Sequence, residues 1–402
     1  MIDLSDVEAA RERVAKTARH TPLEYSHTFA EMTGAEVHLK LETFQRTGAF
    51  KIRGATNRIA TLDDEQRSAG VVTASAGNHA QGVALAASRM GVDATVVMPE
   101  DAPIAKVNAT RSYGAEVELC GIDYDEAEAR AHEIEREEGR YYLHAFDDPE
   151  VIAGQGTIGL EILADLPDVE TVVVPIGGGG LISGIATALK ERKPDARVVG
   201  VQAEGAASVA DSLEKGERIA RAGVDTIADG IATRTVGELP FEIIRERVDE
   251  IVTVTDDEIA VALTLLLERS KTLVEGAGAV PLAALLAGAI DYEEGETVVP
   301  TLCGGNIDMN TLTTVIVRGL VQTGRYLRLR TTLEDRPGAL EELTEIISEH
   351  RANIYAIQHD RTSRDVAMND AEVELDLETR GPDHVDDLVA ALEERGYPIE
   401  IL

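Results

Sequence analysis

Four consecutive glycines, Gly177 to Gly180, stand between an apolar run, Thr171 to Ile176, and a stretch that reads as a helix to about Lys190. A buried strand that turns directly into a helix through such a loop belongs to an α/β sheet. Glycines there let the backbone wrap closely round an anion at the helix N-terminus. The spacing does not suit a dinucleotide. Counted from Gly177 the third required glycine falls on Ile182, from Gly178 it falls on Ser183, and the Walker lysine is missing. A lone phosphomonoester fits the loop better than a nucleotide.

The same strand, loop and helix order recurs along the chain. Strand Glu36 to Leu41 leads through Thr47-Gly48-Ala49-Phe50-Lys51-Ile52-Arg53-Gly54-Ala55 into a helix over Ala55 to Thr61. Strand Gly70 to Thr73 runs into Ser75-Ala76-Gly77-Asn78-His79-Ala80-Gln81-Gly82, with a helix from about Ala80 to Met90. Further strands are expected at Ala94 to Met98, Glu116 to Leu119, Val198 to Val201, Glu250 to Val254 and Thr297 to Leu302. Helices are expected over Ser5 to His20 with Ser5 as N-cap, over Ala105 to Tyr113 and Asp256 to Arg269, and over Ala279 to Ala287 after Glu275-Gly276-Ala277-Gly278. This alternation predicts doubly wound parallel sheets. The acidic run Asp123 to Glu138 reads as a solvated helix face.

Three loops carry chemistry. The chain has eight lysines against thirty arginines, so a lysine kept among Gly48, Ala49, Phe50 and Ile52 invites a reading in which an amine is needed. Unlike Arg, a desolvated Lys51 can lose its proton and form a Schiff base. A structural lysine snorkelling from a helix start accounts for the same residue. Ser75, Asn78 and His79 add side-chain donors to a helix N-terminus, where a substrate carboxylate is expected; capping of that helix by Asn78 and His79 is the alternative. Strand Thr297 to Leu302 ends at Cys303-Gly304-Gly305-Asn306, and Cys303 read by position alone is a small core residue.

The formal charge of −35, from 73 acids and 38 bases, argues against nucleic-acid and anionic-membrane partners. Acids spread along the whole length, with so few lysines, suit a halophilic setting in which salt screens self-repulsion. Cys120 and Cys303 match no zinc spacing, the N-terminus has no secretory pattern, and no window reaches membrane-helix length. A soluble, cytoplasmic protein is expected.

The order T-G-A-F-K-I-R-G-A, S-A-G-N-H-A-Q-G, G-G-G-G-L and C-G-G-N over residues 1 to about 322 resembles the serine/threonine dehydratases. These are fold-type-II pyridoxal 5′-phosphate enzymes related to tryptophan synthase β chains. The resemblance implies a catalytic region over residues 1–322, with a small subdomain at roughly 53–145 inserted in the large one. It implies that Lys51 carries the cofactor, that Phe50 and Asn78 flank its ring and 3-oxygen, and that Gly177, Gly178, Gly179 and Gly180 hold its phosphate. Cys303 then faces the pyridine nitrogen, and a neutral thiol there favours loss of a β-substituent. The implied reaction is threonine ammonia-lyase chemistry: the freed Lys51 amine takes the Cα proton and the β-hydroxyl leaves. Threonine gives 2-oxobutanoate and ammonia, and serine gives pyruvate. Serine dehydratase and serine racemase are the alternatives, with a non-catalytic amino-acid sensor behind them. Racemases of the family carry a second Ser where this chain has Ala76. Of the family's divalent site only Glu204 and the Ser208 carbonyl position match, Ala210 replacing the Asp, so a monovalent cation is the metal that remains open.

Residues 325–402 read as strand Arg325 to Thr332, turn Asp335-Arg336-Pro337-Gly338, helix Ala339 to His350, strands Ile354 to His359 and Val373 to Leu377, helix His384 to Arg395 and strand Pro398 to Leu402. That β-α-β-β-α-β order is a ferredoxin-like sandwich. With D-R-P-G-A-L and A-N-I it resembles an ACT domain, an amino-acid-sensing and subunit-pairing module. The resemblance implies an effector, isoleucine being the expected one, held where Pro337 and Gly338 face Asn353 and Ile354. It also implies a homo-oligomer, a dimer or tetramer.

Overall fold

The computed structural model describes residues 1–361, 367 and 369–402 and divides into two compact units, Met1–Asp308 and Met309–Leu402. The first holds ten strands in chain order: β1 (Leu23–Tyr25), β2 (Glu36–Leu41), β3 (Val71–Ala74), β4 (Ala94–Met98), β5 (Glu116–Leu119), β6 (Tyr141–Tyr142), β7 (Thr171–Pro175), β8 (Arg197–Ala203), β9 (Glu250–Val254) and β10 (Thr297–Leu302). They form a six-stranded sheet in the order β1-β2-β10-β7-β8-β9 and a four-stranded sheet in the order β5-β4-β3-β6. Only β1 runs antiparallel. Every residue of β3, β4 and β7 is buried. That is why Val-rich runs rather than alternating patterns mark these strands: helices cover both faces of a parallel sheet.

Helix Ile52–Ala60 starts directly after Lys51 and is fixed by a buried ion cluster. Arg53 donates from Nε and Nη2 to the two Glu42 oxygens at 2.9 and 2.7 Å, and from Nη1 and Nη2 to the Glu161 oxygens at 2.6 and 2.9 Å. It also donates to Thr157 Oγ1 and to the Arg19 carbonyl, each at 3.1 Å. Lys40 Nζ donates to Glu161 at 2.7 Å and to the Thr21 carbonyl at 2.8 Å. Burial opposes the charge on Arg53, yet Glu42 and Glu161 hold it protonated. Two cations and two anions thus neutralise one another inside the core.

Two departures from expectation lie beside this cluster. The first helix spans Leu4–Val14, not Ser5 to His20, and its N-cap is Asp3 rather than Ser5. The Asp3 carboxylate accepts from the Ser5 and Asp6 N–H groups while Asp6 closes the capping box. Beyond Val14 the chain is held by Gln45, which accepts from the Arg19 N–H and donates to its carbonyl, both at 2.8 Å. A seventeen-residue helix, Pro149–Asp165, carries no expectation above, because Gly154, Gly156 and Gly159 interrupt its pattern. A Cβ on Gly154 would lie 2.7 Å from the Gly54 Cα, so these glycines serve close packing between helices.

In the second unit, helix Met309–Gln322 precedes β11 (Tyr326–Glu334), β12 (Asn353–Asp360), β13 (Asp370–Glu378) and β14 (Ile399–Ile401). The sheet is antiparallel in the order β12-β13-β11-β14. Burial alternates along β11 and β13, whose inward residues pack with helices Ala339–Glu349 and Pro382–Glu394. Arg328–Asp376 and Arg330–Glu374 pair across the strands at 2.8 and 2.7 Å on the polar face. This is the ferredoxin-like sandwich expected of an ACT domain. No helix among the described residues is long and apolar enough to cross a membrane.

Replacing Arg53 strands the two buried carboxylates that it serves. Arg53→Met is expected to lower unfolding free energy by about 3–5 kcal/mol, read as a fall in the urea midpoint. A loss under about 1 kcal/mol would contradict the cluster's role.

Candidate active site

Strands β2, β10 and β7 are neighbours, so the loops that follow them leave one edge of the sheet side by side. Open parallel sheets place ligands at that carboxyl edge. The loop after β2 is joined to the loop after β10 at several points. Phe50 N–H donates to the Cys303 carbonyl at 3.1 Å, Gly305 N–H to the Gly48 carbonyl at 2.8 Å, and Asn306 Nδ2 to the Thr47 carbonyl at 2.7 Å. Gly48 has φ of +70°, and a Cβ there would fall 2.4 Å from Asn306 Oδ1, so only glycine serves.

Lys51 stands at the centre. Its Nζ donates to the Ala145 carbonyl at 3.0 Å and lies 5.2 Å from the centroid of the buried Phe50 ring. Burial pushes the amine down to about 8, against the pull of Cys303 and Glu275. Burial pushes the Cys303 thiol well above its ordinary range, so it is neutral. The Glu275 carboxyl is pushed up to about 7, by burial first and Asp229 second. An amine and a carboxyl that both titrate near neutrality share this site.

Two loops present backbone donors. After β3, the Gly77 N–H donates to Ser75 Oγ at 3.1 Å, while the N–H groups of Ala76, Asn78 and His79 donate to no group among the described residues. Gly77 is the N-cap of helix Asn78–Met90, and no side chain caps it. The capping alternative for Asn78 and His79 therefore fails. Asn78 instead donates to Glu275 at 2.7 Å and accepts from Asn306 at 2.8 Å. The His79 ring is buried and bonded to the Leu143 carbonyl at 3.1 Å; burial and the nearby Lys51 push it down to about 3, which keeps it neutral. Its backbone N–H, not its ring, is what the loop offers.

After β7, Gly177 to Gly180 are all buried, and the N–H groups of Gly178, Gly179, Gly180 and Leu181 donate to no group among the described residues. A Cβ on Gly178 would fall 2.4 Å from the Phe146 ring, and one on Gly180 would fall 2.9 Å from the Phe146 carbonyl. Side chains are excluded, and Phe146 packs directly on the loop backbone. Buried N–H groups left unpaired are costly, and an anion at a helix start relieves that cost.

The residues read as a site thus converge: Lys51, Phe50, Asn78 and Cys303 are linked directly or through Glu275 and Asn306. Sequence reasoning assigned no role to Glu275, the Ala145 carbonyl or Phe146. Glu275 opens a stretch of small residues, which is the only signal that could have marked it. Glu204 is exposed and Ser208 buried, and among the described residues no three His, Cys, Asp or Glu side chains converge as a metal site. The expected effector pocket is corrected. Asn353 pairs with Glu378, which is opposite Tyr326, whereas Gly338 follows the far end of β11 at Glu334, opposite Asp370. Pro337 and Gly338 therefore lie at the other end of the sheet from Asn353 and Ile354, because helix Ala339–Glu349 runs the length of the sheet between them. Within one chain they do not face each other.

The chain matches the model of a family described as pyridoxal-phosphate dependent enzyme over residues 14–304, and that of the ACT domain over residues 324–395. It is 50% identical over 402 residues, all of both chains, to a protein of Geobacter sulfurreducens named L-threonine ammonia-lyase. The processed form of threonine deaminase isoform 2 from Solanum lycopersicum superposes with a TM-score of 0.75 at 40% identity, covering 78% of this chain and 91% of that one. A maize serine racemase superposes with a TM-score of 0.75 at 37% identity, covering 79% and 98%.

The lowered Lys51 pKa sets a pH profile. Below about 8 the amine is protonated, and its reaction with a small aldehyde, trapped by borohydride, falls about tenfold per pH unit. Above about 8 the rate levels off, whereas an ordinary lysine gains reactivity up to about 10.4. Peptide mapping of the labelled cofactor-free protein reads this at Lys51, and a midpoint near 10 would contradict the site's electrostatics.

Proposed function

The chain belongs to the pyridoxal-phosphate dependent enzymes, and from that membership we propose that it is an L-threonine ammonia-lyase. It converts L-threonine to 2-oxobutanoate and ammonia, takes L-serine to pyruvate as a weaker reaction, and responds to an amino acid through its ACT domain. The observation that carries the reading is a half-buried Lys51 amine, lowered to about 8, set beside two loops of unpaired backbone N–H groups.

The residues present suit pyridoxal phosphate. The cradle from Gly177 to Gly180 has buried donors for a phosphate and no room for a side chain. Lys51 is the amine that would hold the cofactor, with Phe50 and Asn78 beside its ring and the neutral Cys303 thiol toward its nitrogen. When bound, the cofactor supplies the electron sink that makes the amino acid's Cα–H acidic. The chain's own groups do the rest. Backbone N–H groups of Ala76, Asn78 and His79, with the Ser75 hydroxyl, bind the substrate carboxylate and orient Cα. Lys51 Nζ takes the Cα proton as general base, a role for which a pKa near the working pH is best. Loss of the β-hydroxyl as water, then addition of water and release of ammonia, balances the reaction to the 2-oxo acid.

Likeness to a serine racemase makes racemisation the natural competitor. It needs a proton donor on the face of Cα opposite Lys51, and Ala76 has none to give. Elimination is the outcome these residues favour.

Lys51→Ala is expected to abolish ammonia release from L-threonine while leaving the circular dichroism of the protein unchanged. Turnover near the parent rate would contradict the assignment. For the ACT domain, isoleucine is the proposed effector, as a distant product of 2-oxobutanoate. It is expected to lower threonine turnover in the full-length chain, with a coupling of roughly 5–150-fold in affinity, and to leave a chain ending at Gln322 unaffected. Flat titrations of both would limit the domain to a structural or pairing role.

A further inference from the structure

Glu275 is buried at the start of helix Gly276–Leu286 and belongs to no step described above. Its Oε1 accepts from Asn78 Nδ2 at 2.7 Å, and the carboxylate also accepts from the Asn306 backbone N–H. Asn306 Nδ2 donates both to Asn78 Oδ1 at 2.8 Å and to the Thr47 carbonyl at 2.7 Å. The chain of bonds is closed at both ends by groups that only accept, the Glu275 carboxyl when ionised and the Thr47 carbonyl. Each amide between them therefore has one permitted orientation. Asn306 must turn its amine to Thr47, which leaves Asn78 to receive with its oxygen and to give with its nitrogen. One of the two Asn78 amide hydrogens is spent on Glu275, and the other remains for a ligand.

The packing is built for this carboxylate. The Glu275 N–H donates to the Gly304 carbonyl at 3.0 Å, and a Cβ on Gly304 would fall 2.5 Å from Glu275 Oε1. A glycine two residues before Asn306 thus makes room for the carboxylate that Asn306 also contacts. A glutamine of the same shape could not replace it. It presents an amine as well as an oxygen, so it no longer dictates which end of the Asn78 amide it meets.

We propose that Glu275 is a positioning residue that fixes the orientation of Asn78, so that the Asn78 amide meets bound pyridoxal phosphate in one way only. This rests on the reading that the site takes that cofactor. Glu275 acts through Asn78, so removing Asn78 makes Glu275 irrelevant to cofactor binding.

The test is a double-mutant cycle on the full-length chain, read as the affinity of cofactor-free protein for pyridoxal phosphate and as the absorbance of the bound cofactor. E275Q is expected to weaken binding about tenfold and to shift the absorbance band when Asn78 is present. In an N78A background it should change affinity less than about twofold, as expected of contacting residues that act as a unit. Equal losses in both backgrounds would overturn the proposal. If E275Q fails to fold, Asn306→Ala supplies the same comparison, because it releases the same amide from its other side. Failure of the unmodified chain to bind pyridoxal phosphate would overturn the functional reading instead.

Discussion

The guanidinium of Arg53 lies in the core two residues along the chain from the Lys51 backbone and has ion-pair partners on two elements. Glu42 follows β2, and Glu161 is on the long helix Pro149–Asp165. Helix Ile52–Ala60 is thereby held at its first turn, where Lys51 serves as N-cap without any capping side chain of its own. Most of the chain's surface ion pairs join exposed groups that are worth little and are screened by salt. The Arg53 cluster is almost wholly enclosed, only Glu161 being partly exposed, so salt weakens it far less. It pins the start of the helix, and so the backbone from which the Lys51 amine extends.

A second constraint is the order of strands. Because β10 lies between β2 and β7, the C-G-G-N loop sits next to the lysine loop on one side and the glycine cradle on the other. Direct hydrogen bonds follow from that adjacency: Phe50 donates to Cys303, while the Gly48 and Thr47 carbonyls accept from Gly305 and Asn306. The electrostatics follow too. Enclosure by these loops strips water from Lys51 and Glu275, and desolvation moves the amine down and the carboxyl up until both titrate near neutral pH. An amine poised in this way is what a general base at Cα requires.

Much of this was legible before any coordinates, and the reasons differ by element. Strands β4, β5, β9 and β10 fall on the expected residues because their ends are punctuated by Pro, Gly or acidic residues. The glycine cradle and the lysine loop were legible because backbone donors and a lone amine need particular residue types in sequence. Helix Pro149–Asp165 was not, since its glycines serve packing against a partner that a local pattern does not reveal. Scarcity of lysine also proved an incomplete guide. Lys40 is one of the same eight lysines and is more deeply buried than Lys51, yet it is a cation in the core cluster. Glu275 escaped notice because its meaning lies in contacts with Asn78 and Asn306, distant in the chain. The effector pocket failed for the opposite reason: residues close in sequence were placed at opposite ends of the sheet by the helix joining them.

If Lys51 takes the Cα proton as proposed, the bond that breaks next separates elimination from racemisation. Chiral and mass analysis of the products from the pyridoxal phosphate-loaded full-length chain, given L-threonine and L-serine in competition, decides this directly. Equimolar ammonia and 2-oxobutanoate, with a smaller yield of pyruvate and no measurable D-amino acid, is the predicted result. Accumulation of D-serine, or recovery of both amino acids unchanged, would contradict it.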